Sequence, residues 1–125
     1  MKYIFAIICF VFLANCSFNS KNQQAVKSLY KDTLIDKSLG LTFYLDTLQI
    51  NIYAFDKSGK LIWKTDPWED NKLMEYRVKR PKIAYFNFVN NERTNNIEVI
   101  GVSYNNSQFG DLDKQTGKFR FRGQD

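Results

Sequence analysis

The chain has 125 residues, 18 basic and 13 acidic side chains, a net charge of +5 and no histidine. Without histidine it cannot build a Ser-His-Asp or Cys-His nucleophilic site, and the common zinc sites are closed to it as well. A chain of this length supports one packed core and not two.

The first sixteen residues carry an address. Met1-Lys2 is a short positive start, and Tyr3 to Leu13 (YIFAIICFVFL) is almost unbroken apolar sequence. Polar chain follows Cys16 at once. A charged start, a short apolar stretch and a small-residue exit describe a secretory signal. The run is also shorter than the roughly 20 residues of a membrane span. The exit Leu13-Ala14-Asn15-Cys16 resembles a bacterial lipobox. Leu13 and Ala14 fit that pattern, while Asn15 stands where glycine, alanine or serine is usual. The resemblance implies that Cys16 is lipidated and becomes the first residue of the mature protein, the membrane being reached through this anchor. Ser17 resembles the outer-membrane sorting context, and no acidic run of the kind linked to surface export follows. The expected location is therefore the periplasmic face of the outer membrane. Cys9 leaves with the signal, so the mature chain has no free thiol and no disulfide, although its compartment permits bridges.

Residues 17–24 (SFNSKNQQ) are polar and aperiodic and read as a tether. Val26, Leu29 and Tyr30 fall at i, i+3 and i+4, so residues 25–34 are either a short helix or more tether. The expected organisation is a signal at 1–15, a lipidated cysteine, tether and short-helix region at 16–40, and a β-rich domain at 41–125.

From Leu41 the pattern is that of strands. LTFYL is followed by LQINIYAF, where Leu48, Ile50, Ile52 and Ala54 share one face at period two. Tyr53 and Phe55 make the other face partly apolar. Asp56-Lys57-Ser58-Gly59-Lys60 is a turn, with Gly59 able to take positive φ, and LIWKT runs back. Asp66-Pro67-Trp68-Glu69 is a helix start, with an N-cap acid, a proline at the first helical position and a further acid. That helix is expected to run toward Tyr76, and Pro81 ends it. KIAYFNFV and IEVIGVSYN are strands around the polar loop NNERTNN. The chain closes on SQFGDLD, a turn, and KFRFR, where Phe119 and Phe121 alternate with Lys118, Arg120 and Arg122. About seven strands with one or two short helices predict a mainly β fold, a single antiparallel sheet folded into a small sandwich or barrel. The aromatic share of 16% provides the core volume.

The turn at Asp56 has an echo in Asp113-Lys114-Gln115-Thr116-Gly117-Lys118. The phrase IYAFDKSGKLIW resembles the repeat of pyrroloquinoline-quinone-type β-propellers, with Gly59 one place earlier than that family's glycine. A propeller needs at least four blades of roughly 40 residues, which this chain cannot hold. Both copies are therefore read as hairpins that reuse one turn chemistry, and no cofactor is expected.

Three clusters carry candidate chemistry. Asp66, Glu69 and Asp70 near Trp63, Trp68 and Tyr76 could serve a cell-wall or glycan-acting enzyme, or simply favour a helix N-terminus. Asp111-Leu112-Asp113 fails as a calcium loop, because Thr116 and Arg122 stand where glycine and glutamate are needed. The basic residues are clustered as Arg77, Lys79, Arg80 and Lys82, and as Lys118, Arg120 and Arg122. Should the two groups meet, Trp63, Trp68 and Tyr76 beside them would complete an interface of arginine and aromatics. The expected partner is an acidic protein or an anionic envelope polymer, not nucleic acid. The leading expectation is a non-enzymatic binding or accessory protein of the envelope, an immunity or inhibitor-type role included. The alternatives are the glycan-acting enzyme and a structural lipoprotein.

Overall fold

The computed structural model describes residues 29–125. The signal, Cys16 and the tether lie outside the described residues. Eight strands form, β1 (Tyr30–Asp36), β2 (Leu41–Asp46), β3 (Ile52–Phe55), β4 (Leu61–Thr65), β5 (Ile83–Val89), β6 (Val99–Tyr104), β7 (Gln108–Leu112) and β8 (Phe119–Gln124). A short helix, α1 (Pro67–Asp70), joins the two halves, and a 3-10 turn spans Glu92–Thr94.

The strands make two four-stranded antiparallel sheets in the orders β1-β2-β3-β4 and β5-β6-β7-β8. Each sheet is a meander, as short connections favour. They stack as a small sandwich, without a closed barrel. Strand alternation produces the core. Phe43 and Leu45 of β2 and Ile52 and Ala54 of β3 point inward from the first sheet. Ile83, Phe86, Ile100, Val102, Tyr104, Leu112 and Phe119 meet them from the second. Phe43 and Phe88 touch edge to face across the interface, 6.1 Å between centroids.

Three expectations are corrected. Residues 30–34 are not helical. They belong to β1, which pairs with β2 from Tyr30↔Asp46 to Asp36↔Leu41, so the sheet begins well before residue 41. The partner strand outweighs a three-residue helical pattern, and Thr33 and Ile35 are β-branched residues that suit a pleated surface. Of the rest of the expected helix, Leu29 is helical and residues 25–28 lie outside the described residues. Second, Leu48 and Ile50 do not extend β3. Leu48 is exposed, because residues 46–51 form a turn in which the Asp46 carboxylate accepts from Ile50 N (2.9 Å) and Asn51 Nδ2 (2.9 Å). Gln49 there has φ +60° and is stitched to β5 by two 2.8 Å bonds with Ile83. Third, α1 stops at Asp70. Its N-cap is as expected, with Asp66 accepting from Glu69 N at 3.2 Å. The reciprocal acid is Asp70, which accepts from Asp66 N at 3.1 Å. Lys72 at φ +51° then turns the chain out of the helix.

The echoed turns occupy the same place in each meander, the third hairpin. At both, the aspartate caps its own turn. Asp56 accepts from Ser58 N and Lys60 N, and Asp113 from Gln115 N and Thr116 N. They differ in surroundings. Gly59 (φ +82°) faces open space, whereas a Cβ on Gly117 (φ +71°) would lie 2.5 Å from Trp63 Cδ2. Alanine at either position carries a left-handed backbone cost of about 1 kcal/mol. Only Gly117→Ala adds a clash, about 2 kcal/mol more. Urea unfolding should therefore show Gly117→Ala losing clearly more stability than Gly59→Ala. Equal losses would mean that the second turn does not bear on Trp63.

Candidate functional site

The two tryptophans serve the packing. Trp63 lies against Phe43, 5.8 Å between centroids, and donates from Nε1 to Lys114 O at 3.0 Å. It thereby seats the β7–β8 turn on the first sheet. Trp68 donates from Nε1 to Gln108 Oε1 at 3.0 Å. Gln108 is buried, and its amide also receives Asn106 Nδ2 (2.7 Å) and donates to Met74 O (2.9 Å) and Gln124 Oε1 (3.3 Å). This saturated side chain ties the segment after α1 to the second sheet. Nothing in the alternation of SQFGDLD distinguishes it from an ordinary strand glutamine, so sequence reasoning misses it.

The first basic group follows that segment. Arg80 pairs with Asp66 and lies over the Trp68 ring, 4.9 Å from its centroid. Arg77 covers the Tyr76 ring at 4.9 Å and donates to Ser107 Oγ at 3.2 Å. Tyr76 donates its hydroxyl to Asp125 O at 2.6 Å. Lys79 and Lys82 are exposed. Beneath Asp66 and Arg80, Tyr104 is buried. Burial first, and the Asp66 carboxylate after it, push its hydroxyl pKa up. Two of the three carboxylates weighed for glycan chemistry are engaged here, while Glu69 is exposed and its side chain has no partner among the described residues. Asp66 holds Arg80 and the α1 cap, and Asp70 accepts from Thr65 Oγ1 at 3.0 Å.

The second basic group lies along β8. Arg122 pairs with Asp111 (2.6 Å) and donates to Arg93 O (2.7 Å). Lys118 and Arg120 are exposed and have no ion-pair partner among the described residues. All three line one groove of about 510 Å³, with the acids Asp111 and Asp113 and the apolar Ile97 and Val99 on its other sides. The two basic groups stand at opposite ends of the β7–β8 hairpin. Arg120 is opposite Asp111, while Tyr76 and Arg77 reach Asp125 and Ser107, beyond the Gln108↔Gln124 pair.

A further surface is absent from the sequence reading as a unit. On the outer side of the first sheet Tyr30 stacks on Tyr44 (4.4 Å) and meets Tyr53 edge-on (5.7 Å). Phe55 touches Tyr44 (5.6 Å) and Tyr53 (6.4 Å). Tyr53 and Phe55 were legible as an apolar outer face of one strand. Tyr30 and Tyr44 join them only through strand order.

The two sheets share one ion cluster. Lys114, largely buried, donates to Asp36 at 2.6 Å and to Glu98 at 2.9 Å. The Lys114 bond, then that from Ser38, holds the Asp36 carboxyl well below the usual carboxylate range despite burial. Burial works to lower the Lys114 ammonium pKa, but the bonds to Asp36 and Glu98 outweigh it and raise the value.

Among the described residues no group of histidine, cysteine, aspartate or glutamate could hold a metal ion, and no helix is long and apolar enough to cross a membrane. Comparison with protein-family models, with curated proteins and with solved structures finds no significant match to the chain.

Lys114→Met should cost roughly 3 kcal/mol at neutral pH, since it leaves Asp36 buried and unpaired. A carboxyl depressed in the folded state stabilises above its unfolded pKa and loses that contribution as pH falls. The gap between wild type and variant in urea unfolding should therefore be full above the ordinary value of 3.8 and close below it. A gap independent of pH would assign the loss to packing alone.

Proposed function

We propose that this chain is a lipid-anchored, non-enzymatic binding protein of the bacterial envelope. It is held through Cys16 at the periplasmic face of the outer membrane and captures an acidic protein partner. The observation that carries this reading is the β8 groove. Lys118 and Arg120 stand exposed in it, with no ion-pair partner among the described residues, beside an Arg122 that Asp111 already orients. Exposed charges at the edge of a recognition surface steer association and set its salt dependence. Ile97 and Val99 add apolar wall to the same groove, as the desolvated centre of an interface needs. An immunity or inhibitor-type role and an accessory role in an envelope complex both use such a face. An anionic envelope polymer is the second ligand class that the charge suits. The glycan-acting enzyme has less support, because Asp66 and Asp70 are engaged in capping and ion pairing, which leaves Glu69 without a second free carboxylate beside it among the described residues.

The test uses the full-length chain purified from membranes in detergent. Immobilised, it should retain one dominant acidic protein from solubilised envelope, identified by mass spectrometry. The Lys118→Glu/Arg120→Glu chain should retain at least about tenfold less and show a weaker dependence on salt. Arg77→Glu/Lys82→Glu, at the other end of the hairpin, should retain nearly as much as wild type. Equal retention by all three chains would sink the groove, and glycan fragments in place of protein would favour the polymer. In cells, Cys16→Ser should move the protein out of the outer-membrane fraction. Unchanged partition would remove the anchor from the proposal.

A further inference from the structure

The outer faces of a two-layer sandwich point away from each other. On the second sheet that side bears the cationic groove. On the first it bears Tyr30, Tyr44, Tyr53 and Phe55, all half-buried and in mutual contact. Ile35, paired with Thr42 on the same side, is 61% exposed. Lys64 lies over the Tyr53 ring at 5.4 Å. Lys57 borders a concavity of about 500 Å³ together with Tyr30, Tyr44 and Phe55. Asp56 is also on that border, but its Oδ1 is directed into its own turn, accepting from Ser58 and Lys60. No described residue covers the rings, which are rimmed by Lys57 and Lys64, with Asp46 beside Tyr30 and Asp56 in its turn.

We infer that this aromatic face rests on the lipid headgroup layer of the membrane that holds the anchor, an inference that depends on the lipidation of Cys16. Three observations select lipid as the occupant. The chain enters the domain at Tyr30, itself a member of the cluster, so the anchored end of the polypeptide arrives at this face. Only residues 17–29 separate Cys16 from Tyr30, which limits the separation to roughly 50 Å even when fully extended. Within that reach a weak surface affinity becomes effective, because the tether supplies a high local concentration of membrane. The chemistry also matches. Tyrosine has an apolar body and a polar tip and is enriched at the membrane–water boundary. Lys57 and Lys64 suit anionic headgroups. The consequence is an orientation. With the first sheet on the bilayer, the groove of Lys118, Arg120 and Arg122 faces the compartment and is open to a partner.

The experiment uses the full-length lipidated chain in vesicles of phosphatidylethanolamine and phosphatidylglycerol. Flotation reports anchorage, and hydroxyl-radical labelling read by mass spectrometry reports exposure of each tyrosine. Tyr85, 46% exposed on the second sheet, is the internal reference. The comparison is with Lys57→Glu/Lys64→Glu, and with Phe55→Glu, which places a charge among the rings. Labelling of Tyr30, Tyr44 and Tyr53 relative to Tyr85 should be about threefold lower in wild type than in either variant. Equal labelling in a chain that floats would overturn the inference while leaving the anchor intact. A chain that does not float would overturn the anchor as well. Protection that disappears on diluting the protein within the vesicles would assign the face to a second copy of the chain and overturn lipid as its occupant.

Discussion

The seating of the β7–β8 turn on the first sheet is the constraint on which the sandwich depends. Its two sheets are separate meanders with no strand in common, so only side chains and turns can set their relative position. Lys114 does this from the tip of one meander. Its ammonium is held by Asp36 at the end of β1, and its carbonyl accepts the Trp63 indole. Gly117, three residues later in the same turn, lets the backbone close on the same ring. A buried ion pair is poor evidence of net stability, because desolvation offsets attraction. It is good evidence of position. An ammonium between Asp36 and Glu98 has one favourable place, and aliphatic packing alone would tolerate small slides of one sheet over the other.

A second set of polar bonds works at the other end of the second sheet. Gln108 spends its whole side-chain amide on Trp68, Asn106, Met74 and Gln124. Residues 71–82 have little regular structure of their own, and these bonds, with those of Asn105 and Ser107, give them a fixed course. Within the first basic group Arg80 is consequently built into the fold, against Asp66 and Trp68, while Lys79 and Lys82 stay exposed. In the second, Lys118 and Arg120 are open to solvent, while Arg122 is held by Asp111. Each cluster thus has one arginine held by an internal carboxylate and exposed cations beside it.

Much of the fold was legible in the sequence. Seven of the eight strands follow from period-two patterning, and the two Asp-to-Gly turns and the Asp66 cap follow from local hydrogen-bond rules that act within four residues. β1 was not legible, since YKDTLID alternates poorly and depends on β2 for its hydrogen bonds. Trp63 and Trp68 were read as surface candidates because a tryptophan's exposure is set by what packs on it, which a single strand does not show. The cluster of Tyr30, Tyr44, Tyr53 and Phe55 was half visible, in that β3 carried two of its members. The others come from strands whose adjacency is a property of the sheet.

The sequence by itself determined the β class, the hairpins, their turn chemistry and the start of α1, because each rests on residues close together in the chain. Only the tertiary structure decided which charges are spent and which remain available. Lys114 and Asp36 are far apart in sequence, as are Trp68 and Gln108, and partners brought together by folding leave no local pattern. The same reason hides the aromatic face and the groove. Both are assembled from neighbouring strands, and their chemistry exists only once strand order and register have placed the rings and the cations side by side.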